Sequence, residues 1–245
     1  AEASPEGNPV LKKDALAYQV FDKNVDIDPT AIEADRTFLG LLTLKWVMTD
    51  QYDKFTSLQT NPAAKLTRDS FNKLRDYTRR ICGTEEDLEF CLYSLACNDL
   101  GKTLFFVEKH KEVMGKAAED HDQLLGTLIH AAPQLFPAYQ AILTPVQQAS
   151  YVKGLNANLN LSQFVQGENL PVNLVGMQAI DAKSRELRLV CELFDFAGVT
   201  GHVNAGGSMV MTEENYLAFS SAIEELTKEP QDKSYSRYIA RRGKM

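Results

Sequence analysis

The six residues "CNDLGK", 97 to 102, follow the apolar run "LEFCLYSLA" and set an amide, a carboxylate and an ammonium group close together at a helix end. A carboxylate carried into apolar surroundings must find water, a backbone cap, a basic partner or a metal ion, because its unpaired burial is costly. Asp99 is that carboxylate. Gly101 suits the left-handed residue that ends many helices, and Lys102 suits the negative end of the helix dipole. Local chemistry alone is therefore satisfied by an ordinary helix C-terminal turn in which Asn98 hydrogen-bonds nearby backbone.

A divalent cation needs several N or O donors converging from different elements. The histidines are His110, His121, His130 and His202. In "EDHDQLLGTLIH", His121 precedes Leu124, Leu125 and Leu128 on the same helical face and is expected to point inward. A histidine so placed is either a core residue bonded to a carbonyl or a ligand. His130 is about half a turn out of phase with it and cannot share an ion with it. In "ELFDFAGVTGHVNAGGSMV", Asp195 nears a helix end and a glycine-rich loop carries His202 and Asn204. Glycines let backbone N–H groups approach an anion, and His202 and Asn204 would add side-chain donors. The same loop also reads as a tight connection between helices, and it matches neither the P-loop nor the dinucleotide fingerprint. No G-x-S-x-G elbow is present, and no cysteine has the local setting of a nucleophile.

The elements that must position these residues are helices. A long helix is predicted from Asp28-Pro29 towards Phe55, with proline in its first turn. Phe71, Leu74, Thr78 and Ile81 recur at spacings of three and four, which predicts an amphipathic helix ending at a left-handed Gly83. Thr84 and Asp87 form a capping-box variant that starts the next helix, over 85 to 100, which is expected to be central because it is apolar almost all round. Helices are further expected near 103 to 116 and 119 to 131, and Pro133, Pro137 and Pro145 break the chain that follows. The Asn- and Gly-rich stretch 156 to 176 contains "NANLNLSQF", the best candidate for a strand or an irregular loop. A closing helix is capped by Thr212. The fold class is all-α: a single helical bundle with one irregular Gly/Asn-rich region.

"LYSLACNDLGK" at 92 to 102 and "HDQLLG" at 121 to 126 resemble the HD-domain superfamily, all-α metal-dependent phosphohydrolases in which an apolar helix ends in His-Asp-x-Gly-Lys and a later histidine opens another helix. The resemblance covers roughly residues 67 to 130. It implies that Asp99 and His121 are metal ligands, that Lys102 faces phosphate, and that Asp195 stands for the last metal-binding aspartate from a late helix. Two departures matter. Asn98 replaces the motif histidine, and an amide oxygen is a poor ligand for metals that suit imidazole. No histidine precedes residue 110, so the upstream ligand falls on Phe71 or Asn72. What remains would hold at most a weakly bound Mg²⁺ or Mn²⁺. The expectation is a diverged, HD-like protein with an incomplete metal site that binds a small phosphorylated ligand or a protein partner without catalysis, with Asn98, Lys102, His202 and Asn204 as ligand-binding residues. The alternative is a metal-dependent phosphohydrolase acting on a nucleotide or small phosphate ester.

Composition narrows the setting. A 245-residue chain with 44% hydrophobic residues can bury a full core, and a net charge of -7 speaks against nucleic-acid or acidic-membrane binding. No window suggests a membrane span. Cys82, Cys91, Cys97 and Cys191 lack zinc-site spacing and read as free thiols in a reducing, cytoplasmic compartment. Residues 1 to 25 read as a polar leader, 26 to 230 as the helical domain, and 231 to 245 as a basic, solvated tail.

Overall fold

The computed structural model describes residues 29–157, 159–168, 175–228 and 233–242, so the polar leader and residues 169–174 of the irregular region lie outside the described residues. Helix α1 (Pro29–Met48) ends earlier than the sequence predicts. At Thr49 and Asp50 the side-chain hydroxyl of Thr49 donates to the Lys45 carbonyl, Asp50 turns left-handed (φ 57°), and its carboxylate meets Arg68 at 2.7 Å and Arg75 at 3.0 Å. The one-turn α2 (Tyr52–Phe55) then starts afresh.

Helix α3 (Arg68–Ile81) buries Phe71, Leu74, Thr78 and Ile81, as their spacing requires, and its N-cap Thr67 accepts from the Ser70 N–H. Gly83 is not left-handed; the chain leaves α3 through Cys82 in ordinary backbone geometry. Helix α4 (Glu85–Cys97) opens with the Thr84–Asp87 capping box, in which both reciprocal bonds form. Its apolar surface is buried at Phe90, Cys91, Tyr93 and Leu95, but Leu92 faces out. Helices α5 (Leu104–Met114) and α6 (His121–Ala131) follow, then α7 (Pro137–Ile142) and α8 (Pro145–Asn156), each of these last two with proline in its first turn.

The stretch expected to be a strand or loop is in part a helix, α9 (Leu161–Gln166). Asn160 caps it by accepting from the Gln163 N–H, and Leu161, Phe164 and Val165 are buried at helical spacing, so the apparent alternation of "NLNLSQF" is overruled by a cap and a buried face. No strand occurs among the described residues. The short α10 (Val175–Gln178) leads into α11 (Ala182–Gly198), which, rather than α4, is the hub: it packs against α1, α3, α4, α8 and α9 and against the later α12 (Glu213–Thr227). Where α11 crosses α1, a Cβ on Gly198 would overlap the backbone of Gly40, so only glycine permits that approach.

The C-terminal segment is not a solvated tail. Helix α13 (Ser234–Arg242) packs on α12, with Tyr238 1% exposed against Phe164 and its hydroxyl donating to the Val165 carbonyl. The basic residues are drawn in by acids: Arg237 and Arg241 both reach Glu225, at 2.9 and 3.4 Å, and Lys228 joins them at 2.9 Å. The three core thiols Cys82, Cys91 and Cys191 gather between α3, α4 and α11, with 3.4 Å between the sulfurs of Cys82 and Cys91, while Cys97 is half-buried.

Because Tyr238 fills a closed site and also satisfies a buried carbonyl, Tyr238→Ala is expected to cost about 3–5 kcal/mol and Tyr238→Phe about 1 kcal/mol in urea unfolding. Equal midpoints for wild type and Tyr238→Ala would show that α13 contributes nothing to the core.

Candidate functional site

Helix α4 gives way at Asn98 to a tighter 3₁₀ turn, Asn98–Lys102, closed by the Thr103 hydroxyl and N–H, which both donate to the Leu100 carbonyl. Gly101 is not the expected left-handed cap. Its role is steric: a Cβ there would fall on the His121 carbonyl oxygen, so the turn can lie directly against the first residue of α6 only with glycine at 101. Asp120 fixes that residue from the other side by capping α6, accepting from the Gln123 N–H at 2.7 Å. The result places Asp99 Oδ1 3.7 Å from His121 Nε2.

Asp99 is buried, and its main partner is Lys102, whose Nζ lies 2.7 Å from Oδ1 and 3.2 Å from Glu33 Oε2 on α1. Burial pushes the Asp99 carboxyl up, but the Lys102 ammonium, Glu33 and His121 outweigh it and hold it below the usual carboxylate range. Burial likewise pulls Lys102 down, and Asp99 and Glu33 together reverse this and raise it. A second ion pair lies deeper: Arg188 is 3.1 Å from Glu192 and 3.9 Å from Asp122, and Asp122 Oδ1 is 3.5 Å from His121 Nε2. Burial dominates there, so Asp122 and Glu192 both titrate above their ordinary values although Arg188 opposes the shift.

Asp195 completes the group. Half-buried as a residue, it has its carboxyl deep among protein atoms, with no hydrogen bond or ion pair among the described residues. Burial first, then the charges of Asp99 and Glu192, push it up to about 7. These residues line a cleft of ≈ 260 Å³, which adjoins a smaller space of ≈ 30 Å³ walled in part by Phe90, Leu95, Tyr151 and Ile180; Asn98, Glu192 and Asp195 border both.

Of the residues read from the sequence, Asn98, Asp99, Lys102, His121 and Asp195 are brought to this one cleft, and the half-exposed His121 faces it rather than the core. His202 and Asn204 are not there. His202 is exposed, and the Asn204 side chain is used locally, accepting from the Gly206 N–H at 2.8 Å. Their loop is a structural connection: Ser208 donates to the Ala197 and Phe55 carbonyls, and Gln59 donates to the carbonyls of Ser208 and Met211. Glu33, Asp122, Arg188 and Glu192 are participants that the sequence reading passes over. Arg188, Glu192 and Asp195 stand at spacings of four and three, one helical face of charge inside the otherwise apolar "ELRLVCELFDF". That is the signal that could have found them.

Among the described residues, no group of three or more His, Cys, Asp or Glu side chains is placed to hold a metal ion, and the Asp99 oxygen nearest His121 already receives the Lys102 ammonium. In this geometry the donors do not fit the metal centre that the resemblance implies.

The chain belongs to DUF6829, a family of unknown function, whose model matches residues 15–245. No curated protein and no solved structure matches it.

An aspartate whose pKa is raised in the folded state keeps its proton on folding but loses it on unfolding, so Asp195 weakens the fold as pH climbs from about 4 to about 7. Asp195→Asn is therefore expected to be the more stable protein at about pH 8, by up to about 4 kcal/mol, with the advantage fading towards about pH 4. Urea midpoints across that range measure it, and a difference that does not change with pH would mean that Asp195 is ionised in the native state throughout. Gly101→Ala should cost about 1–3 kcal/mol by forcing the 3₁₀ turn off α6; an unchanged melting temperature would refute the contact.

Proposed function

We propose that the protein is a non-catalytic binder of a small ligand, built on an HD-like helical core, with the cleft between the 3₁₀ turn, α6 and α11 as its binding site. One observation carries this reading. Charged and polar side chains from separate elements converge on one cleft while several of their polar atoms are left without hydrogen-bond partners, Asp122 Oδ1, Arg188 Nε and Ser94 Oγ, and the Asp195 carboxyl beside them makes no ion pair among the described residues. Buried polar groups are almost always satisfied within a fold, so a cluster of orphans around a cavity is the mark of a site completed by something else. Lys102, the residue that the resemblance assigns to phosphate, is held by two carboxylates. A phosphorylated ligand would have to displace these or arrive with its own cation. Four buried or half-buried cysteines carried as thiols fit a cytoplasmic setting. Among the described residues, no helix is long and apolar enough to cross a membrane.

The approach of Asp99 to His121 favours a second reading, a metal-dependent phosphohydrolase acting on a nucleotide or small phosphate ester. The two are separated by assaying purified protein with Mg²⁺ or Mn²⁺ against nucleoside monophosphates and p-nitrophenyl phosphate, beside Asp99→Asn. No turnover above background is expected from either protein. Turnover that disappears in Asp99→Asn would overturn the non-catalytic reading.

A further inference from the structure

From the same cleft, and resting on its being a binding site, we infer that the ligand is a small organic amine whose ammonium sits among Asp195, Glu192 and Asn98 and whose short hydrocarbon arm enters the space walled by Phe90, Leu95 and Tyr151. Charge is the first ground. Asp99, Asp120, Asp122, Glu192 and Asp195 line the cleft, and the terminal nitrogens of the two permanent cations beside them are already engaged, Lys102 with Asp99 and Glu33 and Arg188 with Glu192 and Asp122. The counter-charge still missing is one for Asp195, which Lys102 and Arg36 reach only through space and whose ionised form a bound cation would favour. An anion entering there would meet carboxylates on every side, whereas an ammonium supplies the missing counter-charge and donates hydrogen bonds to groups that lack donors.

The second ground is the lining of the adjoining space. Beyond Asn98, Glu192 and Asp195, which it shares with the cleft, its wall is mainly apolar and aromatic, with Phe90 and Tyr151 meeting edge to face at 6.5 Å between ring centres. At ≈ 30 Å³ it has room for two or three water-sized groups, the girth of a chain of about two or three carbons. Ser94, only 7% exposed, lines this space with its hydroxyl unpartnered; Arg188 and the mutually hydrogen-bonded Ser150 and Ser184 border it too, so its lining is mainly apolar with a few polar groups set into it. A hydrated metal ion has no use for a mainly apolar chamber, and a purely apolar ligand would leave the Asp195 carboxyl unpaired.

Isothermal titration of methylamine, ethylamine, n-propylamine and n-butylamine into the full-length chain tests this, beside 1-propanol, inorganic phosphate and Mn²⁺ as separate probes. Ethylamine and n-propylamine should bind at least tenfold more tightly than methylamine, n-butylamine or 1-propanol. Asp195→Asn should weaken n-propylamine at least tenfold, and Ser94→Val, which fills the chamber, should remove the preference for chain length; circular dichroism checks that both variants are folded. Since Asp195→Asn is expected to be more stable near neutrality, its loss of binding would not reflect unfolding. Equal binding of 1-propanol and n-propylamine would overturn the inference. So would binding of phosphate or Mn²⁺ with no response to any amine, which would leave the cleft standing as a binding site. No heat from any probe, in wild type or variants, would overturn the ligand class and the binding reading together.

Discussion

Helices α1 and α11 touch backbone to backbone. Most helix pairs are held about 8–10 Å apart by their side chains, but Gly40 and Gly198 remove that spacer, and Gly201 then lies against the Asp35 carbonyl just beyond. So close a crossing leaves little freedom in how the two helices are set along each other. It fixes the end of α11, and therefore Asp195, against the part of α1 that carries Glu33 and Arg36. Helices α3, α4, α8, α9 and α12 pack against one or both of this pair, and the 3₁₀ turn after α4 is drawn in by the ion pair between Lys102 and Glu33.

The cleft is the point at which the fold departs from its own economy. Elsewhere the charged and amide groups inside are matched, Asp87 with Lys183 and the Thr84 backbone, Glu225 with Lys228 and Arg237, Gln59 with three backbone groups, and the atoms left over are single hydroxyls at Tyr77, Thr200 and Ser221. Around Asp195 they are not, and like charges crowd a site that apolar side chains would have filled with gain in stability. Natural proteins keep such costs where a task requires them.

Much of this was legible in the sequence wherever the information was local. The capping box at Thr84 and Asp87, the cap at Thr212 and the buried face of residues 68–81 each depend on a few neighbours along the chain, and each is found in place. The proximity of Asn98, Asp99, Lys102 and His121 was legible because they flank one short helix. What failed depended on distant partners. Gly101 reads as a helix cap until α6 is known to lie on it. "YSRYIARR" reads as a solvated tail until Glu225 and Phe164 are seen to receive it. The glycines around His202 read equally as an anion loop or a tight connection until Phe55 and Gln59 are found to pin the segment. Arg188 and Glu192 are polar letters in an apolar helix, and only the cavity beside them explains why they are tolerated.

The four thiols are distributed so that the same chemistry can report on two kinds of motion. Cys82, Cys91 and Cys191 lie in the packed centre, whereas Cys97 sits half-covered on the last turn before Asn98. A thiol reagent reaches a buried sulfur only when its surroundings open, so modification rates measure the free energy of that opening. Slow labelling of the three inner cysteines would time the loosening of the core, and faster labelling of Cys97 would time the breathing of the cleft's wall. The native sequence thus carries its own internal clock for both, with no probe introduced.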